Sequence, residues 1–142
     1  MFPDRRRFAW LASHTRRILA RCRRRVGFIP GFSRKPVHLY VPGGDDKYPS
    51  FWIRDAVMEC RSGLIPLAEM KTMVRVILSF QNGPETRYLA HRLRIAPWAI
   101  PDHINLPGIG AEFQKNHPPG AVFYPGTYSP GEDHGSGLYG VR

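Results

Sequence analysis

The sequence predicts a mainly α chain: an αα-hairpin joined to a long ordered loop rich in proline and glycine, with a short N-terminal extended segment before it. Three observations predict this. Ile53, Ala56, Val57, Cys60 and Leu64 recur at helical spacing, and Leu67, Met70, Val74, Ile77, Leu78 and Gln81 form a second stripe close behind. Only a few residues separate the two runs, which makes them antiparallel neighbours. From about Ile95 onward prolines and glycines are too frequent for a helix of useful length.

The first 36 residues read as a basic, poorly ordered leader. Residues 1 to 35 hold 11 Lys/Arg against one acid, Asp4, whereas residues 36 to 142 hold 10 Lys/Arg and 10 Asp/Glu. The net charge of +10 is therefore N-terminal, and the rest of the chain is neutral. A basic surface suits nucleic acid or anionic surfaces, so that inference applies to the leader and not to residues 37–142. Arg5-Arg6-Arg7 has the look of a twin-arginine export signal, but Arg16, Arg17, Arg21 and Arg23 interrupt every apolar run after Trp10. No stretch approaches a transmembrane span. The other reading of the leader is a short amphipathic helix, with Phe8, Trp10, Leu11, Ile18 and Leu19 among arginines, touching nucleic acid or anionic lipid.

Cys22 and Cys60 are too few and too isolated for a disulfide framework or a thiolate metal site. Free thiols suit a reducing cytoplasm, which is the expected location. Next, Val37-His-Leu-Tyr-Val41 alternates and reads as a short strand, closed by the turn signal Pro42-Gly-Gly-Asp-Asp46. The first helix starts at about Phe51, with Ser50 as N-cap and Gly63 as stop. The second begins at Pro66, where a missing N–H costs nothing, and ends at Asn82-Gly83-Pro84. Met70 and Met73 read as core filler on this hairpin.

The last segment has the proline and glycine content of a disordered tail, but it also carries Trp98, Phe113, Phe123, Tyr124, Tyr128 and Tyr139 with little net charge. Such a composition buries surface, so the expectation is an ordered loop that binds something. Its polar residues cluster at Asp102-His103-Ile-Asn105 and at Tyr124 to His134. Two Asp-His pairs, Asp102-His103 and Asp133-His134, raise a metal-dependent hydrolase as a weaker reading. Their spacing matches no standard metal motif, and a turn-stabilising role for each Asp is simpler, so no metal and no cofactor is expected. The Gly-x-Gly elements at 108–110 and 135–137 are not phosphate loops, because neither links a clear strand to a clear helix.

The segment of most chemical interest is Tyr48-Pro-Ser-Phe-Trp-Ile-Arg-Asp55. A flat indole stacks on the apolar face of a pyranose, and a guanidinium and a carboxylate supply donors and acceptors to its hydroxyls. Trp52, Arg54 and Asp55 therefore form a candidate sugar-binding set. The plainer reading is a solvated Arg-Asp pair in a first helical turn, where an acid favours the helix N-terminus.

Together with Gln81-Asn-Gly-Pro84, Pro101-Asp-His-Ile-Asn105 and Phe123-Tyr-Pro-Gly-Thr-Tyr-Ser129, this run resembles the N-terminal part of bacterial six-hairpin glycosidase-like proteins, relatives of glucoamylase and trehalase. The resemblance covers roughly residues 38 to 142. It implies an incomplete piece of an (α/α)6 toroid, in which Arg54 and Asp55 grip a sugar and Trp52 shapes the pocket wall. Asp102, His103, Tyr124, Tyr128, Glu132, Asp133 and His134 become candidate pocket-loop residues.

A toroid of twelve helices needs several hundred residues, and the catalytic carboxylates of glucoamylase-like families lie in later hairpins that match nothing here. Inverting hydrolysis needs an acid and a base about 6.5–9.5 Å apart. Adjacent Glu132 and Asp133 are a poor pair for that. The expectation is thus the carbohydrate-binding portion of a glycoside-hydrolase-like protein, truncated and inactive alone. Its expected partners are a sugar or oligosaccharide and the rest of the toroid as a separate chain. The alternative from another class is a small basic binding protein that attaches to nucleic acid or anionic surfaces through residues 1–35.

Overall fold

The computed structural model describes residues 5–29, 31–42, 49–88, 94–108, 115 and 118–123. Helix α1 (Arg5–Cys22) runs straight into strand β1 (Arg23–Val26), followed by β2 (Val37–Tyr40) and β3 (Ser50–Trp52). Helices α2 (Ile53–Arg61) and α3 (Leu67–Ser79) come next, then β4 (Arg87–Tyr88), β5 (Arg94–Ile95), β6 (His103–Asn105) and β7 (Gly120–Val122). The strands form three small antiparallel sheets, β1-β2, β3-β6-β7 and β4-β5.

The fold is therefore mixed α/β, which corrects the expectation of a mainly α chain and, with it, that of a piece of an (α/α)6 toroid. Both helices of the expected hairpin are present, but they pack among sheets. Apart from β2, which the alternation of Val37–Val41 predicts, the strands escape sequence reading because each is two to four residues long, too short for a two-residue period to register.

Residues 19–29, expected within a poorly ordered leader, are built into the main core. Leu19, Cys22, Val26 and Ile29 are buried with Leu39, Val41, Phe51, Met73, Val76, Ile104 and Leu106. Strand β1 pairs with β2 from Arg23↔Tyr40 to Val26↔Val37, so the hairpin crosses position 36. Arg23 secures it from outside. Its guanidinium forks onto both carboxylate oxygens of Glu69 on α3, and the Tyr40 hydroxyl donates to Glu69 Oε2 at 2.7 Å. The Arg23 hydrogen bonds hold the Glu69 carboxyl below its usual range, while burial, then the bond to Glu69, pushes the Tyr40 phenol up to about 12. A paired carboxylate and a proton-holding phenol suit each other across the whole neutral range.

The helices differ from expectation in detail. Ser50 lies in β3 and caps nothing; α2 starts at Ile53, with Trp52 at the N-cap position and no side-chain cap. Gly63, at φ 70°, does terminate it, in a left-handed conformation that glycine adopts without Cβ strain. On α3 the buried residues are Met73 and Val76, with Met70 and Ile77 partly covered, whereas Leu67, Val74 and Leu78 are exposed. The core face is rotated from the predicted stripe because α3 packs on β2, and that contact, not composition, selects which side is buried.

After α3 the chain is pinned by Asn82. Its backbone N–H donates to the Ala99 carbonyl at 2.9 Å, and its buried Nδ2 donates to the carbonyls of Glu85 at 3.0 Å and Ala96 at 2.7 Å. Trp98, at φ 59°, is held in the left-handed region by its N–H on the Gly83 carbonyl and by Gln81 Nε2 on its own carbonyl. That conformation is unfavourable for a bulky residue and persists because both sides of the turn are clamped. This knot delivers the chain to β6.

Replacing Asn82 with Ala strips the donor from two carbonyls, so Asn82→Ala is expected to lower stability by about 2 kcal/mol. Denaturant unfolding measures it. An unchanged midpoint would show that the knot does not hold the segment.

Candidate functional site

The site is assembled by one strand pairing. Ser50↔Asn105, Phe51↔Ile104 and Trp52↔His103 face each other across β3 and β6. Strand alternation sends Phe51 and Ile104 together into the core, and the other two pairs to the opposite face. On that face Ser50 Oγ donates to Asn105 Oδ1 at 2.7 Å, and Asn105 Nδ2 donates to the Pro118 carbonyl at 3.2 Å. Trp52 and His103 stack, with ring centroids 4.2 Å apart and planes 25° from parallel.

His103 is buried, and its Nδ1 lies 2.9 Å from Asp102 Oδ2. With Asp102 ionised, Nδ1–H is the donor, which fixes the tautomer and the ring plane against the indole. The Asp102 backbone works at the same spot: its N–H donates to the Val122 carbonyl at 2.9 Å, and its carbonyl accepts the Ile53 N–H at 3.2 Å. That last bond satisfies a donor at the start of α2, where no side-chain cap is present. The segment carrying Asp102 and His103 and the helix carrying Arg54 and Asp55 are thereby sewn together.

In the first turn of α2, Arg54 is exposed and Asp55 half-buried. One turn on, Glu59 shares the face of Asp55 at the i,i+4 spacing. Glu59 is half-buried, and its Oε2 is enclosed without a hydrogen-bond partner among the described residues. Burial first, then the charge of Asp55, pushes the Glu59 carboxyl from 4.5 up to about 7, against a hydrogen bond from Cys22 at the end of α1 that lowers it. Burial, then Glu59, raises the Cys60 thiol.

Of the residues singled out in the sequence, the structure brings Trp52, Asp102 and His103 into contact and sets Arg54 and Asp55 beside them in sequence on α2. Tyr124, Tyr128, Glu132, Asp133 and His134 lie outside the described residues. Asp102 and His103 bond to each other, and among the described residues no three His, Cys, Asp or Glu side chains gather as a metal site. No described helix is long and apolar enough to cross a membrane. Sequence reasoning missed Glu59. The signal available was its like charge four residues after Asp55, a spacing that disfavours ionising both.

What the cluster offers chemically is an aromatic platform, an oriented imidazole, a guanidinium and carboxyls, among them Glu59 with its carboxyl pushed up to about 7. The Trp52 Nε1–H is buried without an acceptor among the described residues. Compared with family models, with curated proteins and with solved structures, the chain gives no match.

The raised Glu59 carboxyl fixes a sign for stability against pH. The fold prefers the protonated form, so its contribution is complete below 4.5 and is lost as pH rises through about 7. The neutral isostere Glu59→Gln is therefore expected to raise Tm at pH 8 and to leave it nearly unchanged at pH 4.5. Thermal unfolding across that range tests this; a Tm difference independent of pH would assign the effect to shape instead.

Proposed function

We propose that the face around Trp52 binds a sugar. The observation that carries the reading is the stacked Trp52–His103 pair, braced by Asp102, at the point where α2 begins and offers Arg54 and Asp55. An indole edge and face suit the apolar side of a pyranose. Carboxylate and guanidinium groups suit vicinal hydroxyls, which are donors and acceptors at once.

The likeness of Trp52-Ile-Arg-Asp55, Pro101-Asp-His-Ile-Asn105 and Phe123-Tyr-Pro-Gly-Thr-Tyr-Ser129 to segments of six-hairpin glycosidase-like proteins supports the same ligand class. So does the economy of the arrangement: aromatic, acid and base come from two segments about 50 residues apart in sequence and joined by backbone pairing. The role proposed is recognition of a glucoside or oligosaccharide, with Trp52 as platform and Arg54 and Asp55 as hydroxyl partners.

Calorimetric titration of the full chain with a panel of gluco-oligosaccharides tests this. Binding is expected for at least one member, and Asp55→Asn, which keeps shape and removes charge, is expected to weaken it by about tenfold to a hundredfold. No binding by any member, or equal affinity for wild type and variant, would count against the reading.

A further inference from the structure

We propose that α1 is a membrane-surface helix that lies in the plane of an anionic lipid bilayer, with Phe8, Leu11 and Ile18 inserted and its arginines at the headgroups. The proposal concerns a different surface from the sugar site and does not depend on it.

Phe8, Leu11, Thr15, Ile18 and Cys22 follow one another at helical spacing, with Ala12 and Leu19 alongside, so they form one continuous stripe on α1 (Arg5–Cys22). The stripe is used unevenly. Leu19 and Cys22, in the last turn, are buried against the core. Phe8 is 60% exposed, Leu11 52% and Ile18 49%, while Ala12 and Thr15 between them are half-buried, so the large apolar side chains of this face stay open to solvent. At a rise of about 1.5 Å per residue the helix is about 27 Å long, and among its described residues only Leu19 and Cys22 enter the main core.

The charges complete the pattern. Arg7 and Arg16 flank the stripe, Arg17 and Arg21 lie on the far side with Trp10 and His14, and the helix contains no acid. Trp10 and His14 stack at 5.1 Å on that far side, away from the apolar face. Arg25, Arg34 and Lys35, exposed in and after β1, add positive charge to the segment that follows α1.

An apolar stripe flanked by arginines, on a helix too charged to cross a bilayer, is the make-up of an interfacial helix. Flanking arginines reach phosphates while their methylene stems rest on the acyl boundary. A nucleic acid would neutralise the same arginines but leave Phe8, Leu11 and Ile18 in water. The exposed apolar residues therefore favour lipid over nucleic acid as the anion.

The test is co-sedimentation of the full chain with phosphatidylcholine vesicles, with and without about 30% phosphatidylserine. The wild-type chain is expected to bind the anionic vesicles and bind the neutral ones at least about tenfold less. The variant Phe8→Ser/Leu11→Ser/Ile18→Ser is expected to lose about tenfold or more on anionic vesicles. Arg16→Gln/Arg17→Gln/Arg21→Gln is expected to lose about fivefold or more, chiefly through Arg16, which flanks the stripe, since Arg17 and Arg21 lie farther from the headgroups. All six positions are exposed, so each variant is expected to keep the wild-type thermal transition and circular dichroism. Undiminished vesicle binding by the serine variant would overturn the proposal. So would a wild-type chain that shifts a short duplex DNA and sediments with neither kind of vesicle.

Discussion

Three residue pairs between β3 and β6 are the constraint on which the rest of this structure depends. Ser50–Trp52 and His103–Asn105 are more than 50 residues apart in sequence, and their pairing does three things at once. It seals the core with Phe51 and Ile104, it stacks Trp52 on His103, and it brings the Asp102 carbonyl to the first N–H of α2. The entropy of closing so long a loop grows only slowly with length, so two fully buried side chains and a satisfied helix end can offset it. Shifting the register by one residue would turn Phe51 outward and Trp52 inward, exchanging core for site. The knot at Asn82 serves the same pairing from the other side, by fixing the turn from which the chain enters β6.

How much of this is legible in the sequence depends on the range of the interaction. Features set by local chemistry are readable: the β2 strand, the stop at Gly63, the start of α3 after Pro66 and its end before Asn82-Gly83. Features set by a distant partner are not. Ser50 reads as an N-cap because serine before an apolar run usually is one, whereas its hydroxyl is committed to Asn105 across the sheet. The buried face of α3 is chosen by β2, so Met73 and Val76 enter the core while Leu67 and Val74 remain outside. The same limit applies to the site. Trp52, Asp102 and His103 can each be picked out for their chemistry, but their contact follows from strand register, which no local pattern encodes.

The charge distribution takes on a different meaning once the fold is known. The excess of +10 lies N-terminal to residue 36, which alone suggests a tail separate from a neutral body. Yet β1 is half of a hairpin whose other half starts at Val37, and Arg23 is engaged by Glu69 and Tyr40. The basic region is thus anchored where β1 and the last turn of α1 enter the main core. The apolar residues of α1 make the same division, with Leu19 and Cys22 inside and Phe8, Leu11 and Ile18 outside.

The anchor of α1 also meets the helix that bears Arg54 and Asp55. Cys22 hydrogen-bonds to Glu59, and Glu59 feels the charge of Asp55 one turn away. Two influences oppose each other at that carboxyl: the Cys22 bond favours the ion, while burial and Asp55 favour the acid. A thiol is a weak donor and burial acts on the whole group, so the acid wins and the carboxyl keeps its proton up to about 7. Glu59 thus keeps its proton beside the last turn of α1, one turn from Asp55 on α2. The bond from Cys22, in the last turn of α1, links the basic helix to the carboxyl that follows Asp55 by one turn on α2.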